Sequence, residues 1–534
     1  MSWSDLRARF RRFRRRRTEN RRYAEVRRQL SDFTDLDRQI ATFKLRPLIS
    51  VIVPVFNIEE KWLRNCITSV TSQIYPNWEL CIADDASTLP HIRPLIEEFV
   101  QRDPRIKAIF RPENGHISAA SNSALEIACG EFSVFLDHDD ELVPDALFWV
   151  INEINSYPDA ALIYSDEDVI DATGRHSDPK FKPGFSPDLH YSQNTTTHLS
   201  AYRTDLIKEV GQLRIEFEGS QDYDLSLRVI DSVPESSIRH IPRVLYHWRS
   251  IPSSIAGGKG AKPYAYEAAR KALKSKFDRS AIDADVVLAK DNLNRVRYRM
   301  RVSPTVAVIT GGEANPDLFS KTDYPRFEII STAADGGVAQ QLNDAAASTK
   351  NDIICFLQGY LVPTSSAWLS EMVHFLSQER IGAVGGKLLR IDGCIDQTGV
   401  IIGGERLIRK AHHGYPRDHV GNFYRAALIG NYSAVSWNCL AVRREVFDRF
   451  GGFDAEHLPS QLFDTDFCLR LGEAGLRIVY TPYAELQFAH RISDGNPSKI
   501  ESEYFRRRWA ALIEFDPLSN PNFSLTGEAF SIKS

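Results

Sequence analysis

The sequence predicts an α/β protein made of two tandem units, each on a mostly parallel sheet, the second one degenerate, with a basic helical arm in front. Three observations carry that prediction. Continuous β-branched runs alternate with helical stretches, the pattern of a buried parallel sheet covered on both faces. One stretch of this pattern occurs twice in the same order. Acidic residues cluster where predicted strands end. Along the chain this gives an arm over 1–45, a first unit over 46–280, a joining segment over 281–303 and a second unit over 304–534.

The arm comes first. Residues 1–30 hold twelve Arg against Asp5, Glu19 and Glu25, inside a chain of net charge -4, so everything after the arm is acidic. Trp3, Leu6, Phe10 and Phe13 fall on one helical face. A basic helix with an aromatic stripe suits an anionic membrane surface; a solvated arm, or a helix packed on its own protein, fits the same pattern. An acidic body with one basic tail argues against a nucleic-acid enzyme. The seven cysteines have no C-x-x-C spacing, which favours a reduced, cytoplasmic chain. No apolar run is long enough to span a bilayer, and no signal peptide is visible. The expected location is cytoplasmic, with a possible peripheral place on the inner face of the membrane.

In the first unit "PLISVIVPVFN" (47–57) reads as a buried strand and "EEKWLRNCITSVTSQ" as a helix. "WELCIADDAS" is a strand ending in Asp84 and Asp85, "IRPLIEEFVQRD" a helix, and "IKAIFRPENG" a strand and turn. "ISAASNSALEIACG" is helical, and "EFSVFLDHDD" is a strand ending in Asp137 and Asp139. In such sheets ligands bind beyond the carboxyl ends of the strands. Acids there, spaced D-x-D, suit a hard divalent cation such as Mg²⁺ or Mn²⁺, which neutralises a diphosphate.

The repeat aligns "NSALEIACGEFSVFL" from Asn122 with "NDAAASTKNDIICFL" from Asn343, and D-x-D-x-x-L-R at 222–228 with the same pattern at 464–470. The second unit opens on "TVAVIT" and has no room for the first unit's leading helix before "RFEIIST". Gln358, Gly359 and Tyr360 replace its acids, and Asp335 sits in a shifted register. Asp464 persists, followed by Asp466. "AHHGYPRDHVGNFY" (411–424) suits stacking on sugar rings or an ordinary contact between units.

Six ordered motifs, "SVIVPVFN", "ADDAS", "RPENGHISAASNSAL", "FLDHDDEL", "EGSQDYDLSLR" and "YHWR", resemble the inverting family 2 glycosyltransferases of the GT-A fold, a Rossmann-like architecture. "IGAVGGKLL", "NYSAVSWNCLAVRREVFDRFGGFD", "FDTDFCLRLGEAG" and "DPLSNPNFS" carry a more distant likeness in the second unit. The resemblance implies a metal-dependent transfer of a sugar from a UDP- or dTDP-sugar to a glycan or lipid-linked oligosaccharide hydroxyl, in bacterial surface-polysaccharide synthesis (O-antigen or capsule).

It also implies roles. Pro54, Phe56 and Asn57 cradle the nucleotide, Asp85 with Asp84 contacts the base, and Asp137 lies near the ribose. Asp139 binds Mn²⁺ or Mg²⁺, and His247 contacts the metal or the diphosphate. Arg249 meets the departing charge. Asp222 is the general base, preceded here by Gln221 where the family usually has Glu. Read without the resemblance, Asp222 is a helix cap and His247 a core histidine. Two other functions are compatible with the chain: a bifunctional enzyme with both units active, and a non-catalytic scaffold at the membrane. No Gly-rich phosphate loop supports a nucleotidyltransferase.

Overall fold

A computed structural model describes residues 21–28, 34–251, 263–332, 337–491, 495–526 and 530–533. The aromatic stripe of the arm and Asp335 lie outside the described residues. Two units are present. The first comprises Met1–Phe185, Asn194–Ser280 and Ile532–Ser534; the second comprises Ser186–Gln193 and Ala281–Ser531. All seven cysteines are free. Among the described residues, no helix is long and apolar enough to cross a membrane.

The strands of the first unit are β1 (Ile49–Val55), β2 (Trp78–Asp84), β3 (Ile106–Phe110), β4 (Phe132–Phe135), β5 (Glu141–Leu142), β6 (Leu162–Asp171), β7 (His176–Lys180), β8 (Ser200–Arg203) and β9 (Ile238–Ser250). They form one sheet in the order β3-β2-β1-β4-β8-β6-β9-β5, with β7 on β6. Every residue of β1 and β2 is buried. Val51 and Val53 pack with Trp62, Leu63 and Phe148 from helices Glu60–Thr71 and Ala146–Ser156. Ile52 faces the other way, onto Ala120, Ala124 and Leu225 of helices His116–Glu126 and Gln221–Ser232. A strand covered on both faces has no polar face to alternate with, which is why the run is continuous. Each fully buried Val or Ile contributes about 1.5–3 kcal/mol.

The sheet is parallel from β3 to β4. β8 then runs antiparallel to both β4 and β6, and β6 is parallel to β9. Two reversals restore the direction. The carboxyl ends of β1, β2, β4, β6 and β9 therefore lie along one edge, with Val55 beside Asp84 in register.

The second unit repeats this order and sense: Phe327–Ser331, Val306–Gly311, Ile353–Gln358, Cys439–Arg443, Ile381–Leu389, Arg477–Phe488 and Leu361–Pro363. Among the described residues, a counterpart of β3 is missing from that order. Where the first unit has the twelve-residue helix Glu60–Thr71, the second has the four-residue Asp317–Ser320. Residues 281–303, expected as a simple connection, contain a hairpin of Ala284–Leu288 and Asn294–Tyr298. It is held in the second unit by Arg295, which pairs with Glu371 at 2.6 Å and lies 3.5 Å over the Tyr483 ring.

Candidate active site

The loops after β1, β2 and β4 converge at the edge of the first unit. Pro54 falls past the last residue of β1 that pairs with β4, so its missing N–H leaves that ladder intact. Its carbonyl accepts from His138 Nδ1 at 3.0 Å. Asn57 holds φ at 45°, and its side-chain oxygen accepts from the amides of Thr88 and Leu89 at 2.8 and 3.1 Å. Phe56 stands 43% exposed, an open apolar face at the mouth.

Asp84 accepts from the Ser87 amide at 3.3 Å. Asp85 is buried and accepts from Arg111 Nε at 2.8 Å and the Gly115 amide at 3.0 Å. Any Cβ at Gly115 would stand 2.6 Å from Arg111 Nη2, so glycine is needed for this approach. The sequence reading did not single out Arg111, although it lies inside the quoted "RPENG".

The acidic loop is anchored from β9. Asp140 accepts from Tyr246 Oη at 2.5 Å and from the Arg249 amide at 2.7 Å. Arg249 Nε donates to the Asp139 carbonyl at 2.8 Å, its Nη2 pairs with Glu141, and its guanidinium lies 4.4 Å from the Trp62 ring centroid. Arg249 is 2% exposed. Its donors are turned into the base of the loop, onto Glu141 and the Asp139 carbonyl; the expected meeting of Arg249 with a departing diphosphate stays a proposal. Asp137 and Asp139 are half-buried above it. Burial and the neighbouring Asp137 push the Asp139 carboxyl up, against the lowering pull of His138.

Asp222 sits in the first turn of helix Gln221–Ser232, whose cap residue is Ser220. Its Oδ2 accepts from Asn194 Nδ2 at 2.9 Å. Desolvation raises its carboxyl, His198 lowers it, and Asp137 raises it again. The base candidate therefore senses the charge of Asp137, the first of the D-x-D acids.

Two buried networks from β6 were missed. Glu167 accepts from the His198 amide at 2.7 Å and from its Nδ1 at 3.1 Å. Burial opposes charging of His198, but Glu167, Asp137 and Asp140 together carry it up to about 9. Burial likewise opposes ionisation of Glu167, yet Lys182 and His198 bring it down to about 2. His198 is thus an imidazolium set among the site's acids. Second, Asp168 receives His247 Nδ1 at 2.5 Å, His176 Nδ1 at 2.9 Å and Tyr23 Oη at 2.5 Å. These donors hold its carboxyl well below the usual range although burial alone would raise it. Among the described residues, Asp168, His176 and His247 are a group whose ligating atoms lie within 4.8 Å of one another. The acidic strand "YSDEDVI" was the sequence signal for both networks.

Residues 50–211 match the model of "Glycosyl transferase family 2", and residues 317–513 match "Glycosyltransferase like family 2". The chain belongs to glycosyltransferase family 2. It carries the domain twice, in the GT-A arrangement. An uncharacterized protein, y4gI, of Sinorhizobium fredii is 38% identical, over 91% of this chain and 59% of its own length. The O-antigen biosynthesis protein RfbC of Myxococcus xanthus is 32% identical, over 92% of this chain and 42% of its own length. The chain thus spans about half the length of these relatives. The crystal structure of Staphylococcus aureus TarS 1–349 with UDP-GlcNAc is 21% identical, with a TM-score of 0.36, covering 43% of this chain and 66% of that one.

The second family 2 domain keeps the frame and loses the acids. Gln358 ends the strand that matches β4, and Tyr360 is exposed beside the His490 ring. Asp464 accepts from the backbone amides of Trp437 at 2.8 Å and Thr465 at 2.7 Å. Asp466 is bound to Arg470 and to Trp509 Nε1. In the loop 411–424, His412 and Tyr415 are buried, and His412 stacks on Phe530 within this unit.

Proposed function

We propose that the first unit is an inverting glycosyltransferase that moves a sugar from a UDP- or dTDP-sugar to a hydroxyl of a glycan or lipid-linked oligosaccharide. The observation that carries this reading is that Asp137, at the carboxyl edge of the sheet, acts electrostatically on both Asp222 and Asp139. Asp222 takes the proton of the acceptor hydroxyl, which attacks the anomeric carbon opposite the leaving diphosphate. Its carboxyl, raised by burial, makes it a better base than a free aspartate. Asn194 fixes its orientation. Asp84 and Asp85 address the base, Asp137 the ribose, and Pro54, Phe56 and Asn57 line the nucleotide side.

The donor set suits Mn²⁺ or Mg²⁺. Asp139 supplies a carboxylate, and His247, with Nδ1 committed to Asp168, has Nε2 left as a ligand. A bound divalent cation supplies charge neutralisation for the leaving diphosphate. Arg249 acts through the loop it clamps, and His198 offsets the local negative charge when the site is empty of cation.

The enzyme works on the cytoplasmic side, in O-antigen or capsule synthesis; the name of the Myxococcus relative supports the O-antigen part alone. Residues 1–30 would hold the enzyme at an anionic membrane surface. The test is release of UDP or dTDP from a panel of donor sugars, with and without Mn²⁺. A donor consumed by the intact chain but not by Asp222→Asn, which still binds nucleotide, is the expected result. Equal turnover by both would overturn the assignment of the base.

A further inference from the structure

The second unit carries a cavity of about 780 Å³ at the edge where the first unit has its acids, lined by Gln358 and Asp464 from the two matching positions. The chemistry of its wall is different. Trp437 offers a ring, and Asn438, Gln461 and Asn496 add carboxamides to that of Gln358. Gly311 permits this arrangement: a Cβ there would stand 2.6 Å from the Trp437 ring and 3.1 Å from Gln358 Oε1, so both side chains close on bare backbone. Gln358 Oε1 is buried and has no hydrogen-bond partner among the described residues. A buried acceptor left unmatched is costly, and a ligand hydroxyl would satisfy it.

Two of the wall's cations are engaged with neighbours, while Glu405, Arg406 and His413 also line the cavity. Lys410 pairs with Asp396 at 2.9 Å, and Arg409 donates to the Ser524 carbonyl at 2.6 Å. Asp464 is occupied by two backbone amides, as described above. No carboxylate stands at the D-x-D position to hold a cation against a diphosphate. Carboxamides both donate and accept, as hydroxyls do, and an aromatic ring packs against the C–H face of a pyranose.

We infer that this cavity is a saccharide-binding site that takes a neutral glycan segment and not a nucleotide sugar. The wall offers carboxamides and a ring of the kind that hydroxyls and a pyranose face require, and the cavity is large enough for a short oligosaccharide. The site does not depend on the reading of the first unit, because none of its residues comes from there.

The test uses the intact chain and saturation-transfer NMR. The probes are neutral mono- to tetrasaccharides of hexose, 6-deoxyhexose and N-acetylhexosamine. At least one is expected to bind saturably, with Mn²⁺ absent, and to resist displacement by UDP or dTDP with Mn²⁺. Affinity should fall at least tenfold in Trp437→Ala and in Gln461→Ala, and stay unchanged in Asp139→Ala. Gln461→Ala removes a wall amide without touching the Trp437 packing, so a folding defect in the first variant leaves the test intact; thermal unfolding checks both. Failure of every probe to bind, displacement by nucleotide, or loss of binding in Asp139→Ala would overturn the inference. Failure of the first unit's chemistry would appear elsewhere, in donor turnover.

Discussion

The carboxyl edges of the two sheets share strand order and strand sense yet differ in nearly every reactive side chain. At one, Asp137, Asp139 and Asp222 form a set of interacting acids balanced by His198. At the other, Gln358 and Tyr360 stand in for two of them, and the third, Asp464, is tied to backbone amides. The second sheet forms without these acids and, among the described residues, without a counterpart of β3. The difference shows that the topology supplies a place for chemistry, and that a few residues on its rim decide whether chemistry occurs.

The largest predicted effect tests that contrast directly. Asp222→Asn should lower kcat by about 10²- to 10⁴-fold, as expected for loss of a general base. Asp464→Asn should leave the transfer rate unchanged. A comparable loss from both would make the two edges equivalent in function. Next, Asp168→Asn should weaken metal affinity by about 10- to 100-fold, since it frees His247 from its orienting partner. Metal titration followed by nucleotide binding reads that effect, and unchanged affinity would remove His247 from the metal site. Arg249→Met should cost about 1–3 kcal/mol of stability, because it takes the guanidinium away from the Glu141 carboxylate and the Asp139 carbonyl in partly buried surroundings. Thermal unfolding with no shift would mean the clamp is dispensable.

The smallest expected effect is on pH. His198 is raised from 6.5 to about 9, so its contribution to stability is complete below 6.5 and is lost as pH rises through 9. Glu167 is lowered from 4.5 to about 2, so its contribution is complete above 4.5 and is lost as pH falls through 2. Together they are at full strength between pH 4.5 and 6.5. His198→Gln should flatten the alkaline limb of the unfolding temperature profile. An unaltered limb would show that the pair does not carry it.

Much of this was legible in the sequence because it is local. "SVIVPVF" and "EFSVFLDHDD" declare buried strands with acids at their ends, and the repeat of "NSALEIACGEFSVFL" declares a second sheet. The partners of "YSDEDVI" were not legible. Asp168 reaches Tyr23, 145 residues away, and His247, 79 away, and no spacing rule encodes such pairs. Strand alternation puts His247 and Arg249 on one face of β9 but does not say which reaches the mouth. Arg249 turns under the loop, where its side chain meets Glu141 and the Asp139 carbonyl while its backbone amide holds the buried Asp140. The hairpin inside 281–303 was hidden by its brevity, since two five-residue strands either side of a polar turn read as a connection.

The central claim is that the chain has one donor site and that it lies in the first unit. Calorimetric titration of the intact chain with UDP and dTDP, with and without Mn²⁺, tests it most directly. The account predicts one metal-dependent site per chain that disappears in Asp139→Ala. Two sites per chain, or one that survives in Asp139→Ala, would contradict it.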